Sequence, residues 1–63
     1  MTKDQVLAIL AREEGFVSGE MISGQIGVTR AAVSGAVNAL RADGYEITSV
    51  TNRGYRLEHA PDL

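Results

Sequence analysis

A chain of 63 residues, 44% of them apolar and with a net charge of −2, supports one small core, burying only about 60% of its surface on folding. It contains no cysteine, which excludes a disulfide framework, a CxxC metal knuckle and a thiol nucleophile. The longest apolar run, Val6 to Ala11, is far short of the roughly 20 residues needed to span a bilayer.

Met1 to Gln5 reads as a helix start and not as a signal peptide, so the expected setting is cytoplasmic. Thr2 and Gln5 form a capping-box pair, with Met1 and Val6 spaced as a hydrophobic staple. Val6, Leu7, Leu10 and Ala11 make the apolar stripe of a first helix. Gly15 is its expected left-handed stop. Glu13 and Glu14 oppose the helix dipole near that end and predict fraying. As consecutive helical residues they diverge by about 100°, which suits a solvated surface and not a catalytic carboxylate pair.

Phe16 and Val17 predict a short extended link before Ser18, an N-cap with Glu20 in the favourable first turn. Met21, Ile22, Gln25 and Ile26 then share one face of a short second helix. Gly27 reverses the chain through positive φ, which glycine adopts most cheaply, and Thr29 caps a third helix. A short helix, a glycine turn and a second capped helix form a helix-turn-helix pattern. In the third helix Val33, Ala36, Val37 and Leu40 follow the i, i+3, i+4, i+7 spacing of a core face. Arg30, Ala31, Ser34 and Asn38 fall on the other side. The glycines Gly19, Gly24 and Gly27 lack the Gly-Lys-Ser/Thr and the preceding strand of a phosphate loop, so they read as punctuation.

After Asp43-Gly44 the period changes from 3.6 to 2. Tyr45, Ile47 and Ser49 alternate with Glu46, Thr48 and Val50, and Tyr55 and Leu57 alternate with Arg56. Thr51-Asn52-Arg53-Gly54 supplies a hairpin turn, because Asn and Gly both tolerate left-handed backbone. Tyr45 and Tyr55, at the strand starts, are expected to pack on the third helix and not to stack on bases. His59 has no second ligand at metal spacing and reads as a solvated residue of the exit segment.

The charge is unevenly placed. Residues 1–27 carry −2, residues 28–57 carry +2 through Arg30, Arg41, Arg53 and Arg56, and the tail carries −2. A polar helix face beside a basic β-hairpin is a layout for reading DNA: the helix enters the major groove and the hairpin lies alongside. Arg30 and Asn38 are the side chains able to read guanine and adenine edges. Arg53 and Arg56 are suited to phosphates or the minor groove. Four arginines make a thin electrostatic footprint, so one copy is expected to bind weakly.

Three segments resemble a known family: Val28-Thr29-Arg30-Ala31-Ala32-Val33, Ala39-Leu40-Arg41-Ala42-Asp43-Gly44-Tyr45 and Arg53-Gly54-Tyr55-Arg56-Leu57. They are similar to the N-terminal winged helix-turn-helix domain of bifunctional biotin protein ligases, the biotin operon repressors. The resemblance covers nearly the whole chain. It implies an α+β fold, a three-helix core with a C-terminal β-hairpin wing, in the order helix, strand, helix, helix, strand, strand. Residues 1–58 would be the winged domain, and residues 59–63, with Ala60-Pro61-Asp62-Leu63, the start of a linker to a C-terminal domain. By position, Thr29, Arg30, Ala31, Ser34, Gly35 and Asn38 would face DNA from the recognition helix, and Asn52, Arg53 and Arg56 from the wing. Ser34-Gly35 stands where the family usually has a bulky residue and a lysine, and Asn52-Arg53-Gly54 where the wing usually reads Gly-Lys-Gly.

The implied function is sequence-specific binding of a double-stranded operator by a transcriptional repressor. The resemblance places ligase chemistry, biotin and ATP in the parent protein. The sequence offers no nucleophile–base pair and no metal cluster, so no cofactor, metal or catalysis is expected in this chain. With no heptad and no spare apolar face in the sequence, the isolated chain is expected to be a monomer, while the resemblance implies a dimer in the parent. Two other readings stay open: a protein-interaction or ordering domain packed on its own ligase module, and a winged domain of an unrelated effector-sensing regulator.

Overall fold

The computed structural model describes residues 2–61. Three helices, α1 (Thr2–Arg12), α2 (Gly19–Ile26) and α3 (Arg30–Ala42), are followed by an antiparallel hairpin of β1 (Glu46–Val50) and β2 (Gly54–His59). The core lies where the helices meet. Val6, Ile9 and Leu10 of α1, Ile22 of α2 and Val33, Ala36, Val37 and Leu40 of α3 are buried, together with Val17 and Ile47. Fully burying one such aliphatic side chain contributes about 1.5–3 kcal/mol. No polar or charged residue is buried among the described residues.

Local signals set the ends of α2 and α3. Ser18 Oγ accepts the Met21 N–H at 3.0 Å, and Thr29 Oγ1 accepts the Ala32 N–H at 3.1 Å, each satisfying an otherwise orphan donor. Gly27 adopts φ +70°, and the N–H groups of Gly27 and Val28 both donate to the Ser23 carbonyl, closing the α2 carbonyl end. The same 6→1 closure ends α3, where the Tyr45 N–H donates to the Leu40 carbonyl across Gly44.

The start and end of α1 differ from expectation. It includes Thr2, and the Thr2–Gln5 capping-box bond is not among the side-chain hydrogen bonds of the described residues. Met1, the other half of the expected staple, lies outside the described residues, as do Asp62 and Leu63 of the expected linker. The helix ends at Arg12, and Gly15 has no positive φ. With Glu13 and Glu14 opposing the dipole, the helix terminates before them and needs no left-handed stop. Ile9, not Ala11, completes the buried stripe, since Val6, Ile9 and Leu10 are the i, i+3, i+4 set. In α2 only Ile22 is buried. Ile26 is half-buried one turn on, Gln25 is exposed and Met21 is 54% exposed. Two helical turns present a single inward row.

The expected strand between α1 and α2 is absent. Only Val17 pairs there, in an isolated antiparallel bridge with Tyr55, with Val17 N–H to Tyr55 O at 2.8 Å and Tyr55 N–H to Val17 O at 2.9 Å. Phe16 and Val17 are all that lies between Gly15 and the Ser18 cap, which leaves room for one pair and no ladder. The described residues thus hold a two-stranded wing and no third strand.

Within the wing Ile47 opposes Leu57 and Ser49 opposes Tyr55, with a bulge beside Glu46. Tyr45 precedes β1, and Tyr45, Tyr55 and Leu57 pack half-buried on the core. His59 is the last residue of β2, exposed and opposite Glu46, not part of a coil exit.

Helix α3 is unbroken through Gly35. A Cβ built at Gly35 meets nothing within 4 Å, and its φ is not positive. Gly35→Ala is therefore expected to raise stability by about 0.5–1 kcal/mol through backbone entropy. A urea melt checks this, and a lowered midpoint would contradict an open, helical Gly35.

Candidate nucleic-acid interface

The outward face of α3 carries Arg30, Ala31, Ser34, Gly35 and Asn38, all exposed. Burial of Val33, Ala36, Val37 and Leu40 on the opposite side forces that orientation. Thr29 sits at the cap. Its oxygen is engaged by the Ala32 N–H, while its hydroxyl proton remains available to donate.

The hairpin turn follows its residue chemistry. Asn52 is the only non-glycine residue with positive φ among the described residues, at +71°, and the Arg53 N–H donates to the Val50 carbonyl at 3.0 Å. The turn faces the start of α2 and α3 across an open cleft of about 470 Å³. Ser18 and Glu20 line one side, Arg30 another, and Asn52 and Arg53 the wing. The fold thus brings Arg30, Asn52 and Arg53 together. Ser34 and Asn38 continue along α3 beyond the cleft. Arg56 sits outside it, on the strand.

The cations divide by what holds them. Lys3 Nζ lies 2.7 Å from Asp43 Oδ2, tying the start of α1 to the end of α3. That hydrogen bond, and then the carboxylate charge, raise the Lys3 pKa above its ordinary value. Arg12 bonds Gln25 at 3.2 Å and lies 3.7 Å from Glu13. Arg41 donates through Nε and Nη2 to the Ile47 carbonyl at 3.2 and 2.8 Å, and through Nη1 to Asn38 Oδ1 at 3.5 Å. It is a strut between α3 and β1, although its charge counts towards the basic half of the sequence. Arg56 pairs with Glu58 at 3.4 Å. Among the lysines and arginines of the described residues only Arg30 and Arg53 make neither an ion pair nor a hydrogen bond through their side chains, and both line the cleft.

Arg53 nonetheless has a support. Its guanidinium lies 5.8 Å from the centre of the Phe16 ring, and that of Arg56 lies 6.0 Å from the same ring. In the sequence Phe16 reads only as part of a short link. An aromatic residue beside a buried Val17 was the available signal, but nothing local tied it to residues so far along the chain.

The arrangement offers hydrogen-bond donors and positive charge on a protruding helix and an adjoining hairpin. It can hold an anionic polymer while presenting side chains to base edges. No group of three or more potential metal ligands occurs among the described residues, and none of their helices is long and apolar enough to cross a membrane.

Comparison with known proteins agrees with this geometry. Over 61 residues, 97% of its length, the chain is 36% identical to the bifunctional ligase/repressor BirA of Bacillus subtilis, and equally to that of Bacillus spizizenii. It spans 19% of the length of each relative. The pattern of the helix-turn-helix (HTH) domain matches residues 2–56, and the chain belongs to that family.

Proposed function

We propose that this chain is the DNA-binding domain of a transcriptional repressor. As a helix-turn-helix domain it is a binding module and not a catalytic one. Its similarity to two proteins named as ligase/repressors does not favour an ordering domain or an unrelated effector-sensing regulator. The observation that carries the reading is the pairing of charges: Arg30 and Arg53, free of anionic partners among the described residues, flank one cleft between α3 and the wing. In the proposed complex α3 enters the major groove, Arg30 and Asn38 face base edges, and Thr29, Ala31, Ser34 and Gly35 allow close approach. Asn52, Arg53 and Arg56 engage the backbone beside the groove.

The finer reading places the domain ahead of a biotin ligase module in a cytoplasmic parent, with the residues after β2 leading into the linker. Dimerisation of that parent would bring two domains onto one operator. A single domain lacks the avidity that linkage of two half-site readers supplies. The isolated chain is therefore expected to sediment as a monomer at micromolar concentration. It is also expected to enrich a sequence motif from a randomised duplex pool, with weak binding that falls steeply as salt rises. A tight dimer would overturn the first expectation, and a pool returned without sequence bias would overturn the second.

A further inference from the structure

Phe16 is out of place as a core residue. In the extended link its neighbour Val17 points inward and is 2% exposed, so Phe16 projects to the opposite side. It is half-buried, yet it is not among the side chains packed on the core. What lies over its ring is the pair of wing guanidiniums, Arg53 at 5.8 Å and Arg56 at 6.0 Å. Both distances are within the range in which a cation is attracted to the negative face of an aromatic ring. The platform is itself fixed, because both hydrogen bonds of the Val17–Tyr55 bridge sit one residue away. On its other side Arg56 is steadied by Glu58, whose second oxygen accepts the Thr48 hydroxyl at 2.9 Å.

We propose that Phe16 is a positioning residue for nucleic-acid binding, whose ring holds Arg53 and Arg56 as a preset pair of phosphate contacts. The inference rests on the DNA-binding reading above and deepens it. A long arginine at a hairpin tip ordinarily loses rotamer freedom when it binds. At Arg53, which has no carboxylate partner among the described residues, a ring that confines the guanidinium beforehand removes part of that cost without cancelling the charge; at Arg56 the ring acts together with Glu58. Replacing Phe16 should therefore weaken binding while leaving the number of phosphates neutralised unchanged.

The test uses the whole chain as Phe16→Leu and Phe16→Trp. The probe is the duplex that the wild type enriches best from a randomised pool. Arginine Nε–Hε relaxation and Hδ shifts are first recorded without DNA. In Phe16→Leu, Arg53 and Arg56 should lose their upfield ring-current shifts and become more mobile, with the Val17 and Tyr55 amide shifts unchanged. Phe16→Trp should retain both signatures. In titrations Phe16→Leu should bind the duplex about two- to tenfold more weakly, with the same salt slope as the wild type, and Phe16→Trp should match the wild type. If Phe16→Leu does not fold, the Phe16→Trp spectra and affinity decide alone, and loss of either in a folded variant overturns the proposal. Unchanged arginine mobility in Phe16→Leu, or loosened arginines with unchanged affinity, overturns the positioning role alone. A wild-type chain that binds no duplex overturns the DNA-binding reading, and the positioning role with it.

Discussion

Gly54→Ala is expected to destabilise the domain by about 3 kcal/mol or more. Gly54 has φ +111°, where an L side chain is strained by about 1–3 kcal/mol. The added methyl would also fall on the Val17 carbonyl and 2.6 Å from Ser18 Cα. Both neighbours are backbone, so no side chain can swing away. Relief requires the start of β2 to move off the link, breaking the two Val17–Tyr55 hydrogen bonds. A chain of this length is typically held by roughly 3–9 kcal/mol in total, so the change should remove from about a third to nearly all of the stability. Gly35→Ala makes the same chemical change on an open helix face and is expected to act in the opposite sense. Urea melts of the two variants beside the wild type measure the contrast. A Gly54→Ala midpoint close to that of the wild type would mean the wing does not rest on the link.

Arg30→Ala and Arg53→Ala are expected to fail differently. Arg30 is the first residue of α3, directly after the Thr29 cap, on a rigid element able to aim a guanidinium at a guanine edge. Its loss should cost about 1–3 kcal/mol on the preferred duplex and flatten the preference at one base pair. Arg53 stands on the hairpin turn. Its guanidinium rests over the Phe16 ring. Even so placed, it offers charge to the backbone. Arg53→Ala should weaken all sequences about equally and reduce the salt slope by about one phosphate. Titration of both variants against preferred and scrambled duplexes at two salt concentrations separates the outcomes. Equal, sequence-blind losses would reduce α3 to a phosphate clamp.

Features encoded within a few residues were legible in advance. Ser18, Gly27 and Thr29 each act on backbone groups three or four positions away, so the helix pair could be placed without the fold. The buried row of α3 was legible for the same reason. Long-range contacts were not. Val17 meets Tyr55, Phe16 meets Arg53 and Arg56, and Lys3 meets Asp43, none of which leaves a periodic trace in the chain. The expected first strand failed because extended propensity cannot reveal that only one residue finds a partner. Arg41 shows the limit of counting charge: as a sequence symbol it is a cation for DNA, but in the fold it is held by the Ile47 carbonyl.

The Val17–Tyr55 bridge also bears on how the molecule opens. An isolated two-stranded hairpin is marginal in water, and this one would be expected to melt ahead of the helices as a separate low-stability unit. The bridge encloses the whole segment from Ser18 to Gly54 in one backbone loop, so parting the hairpin from the helices means reopening that loop. Wing and helices are thereby joined into one cooperative unit, and the chain presents its hairpin already docked.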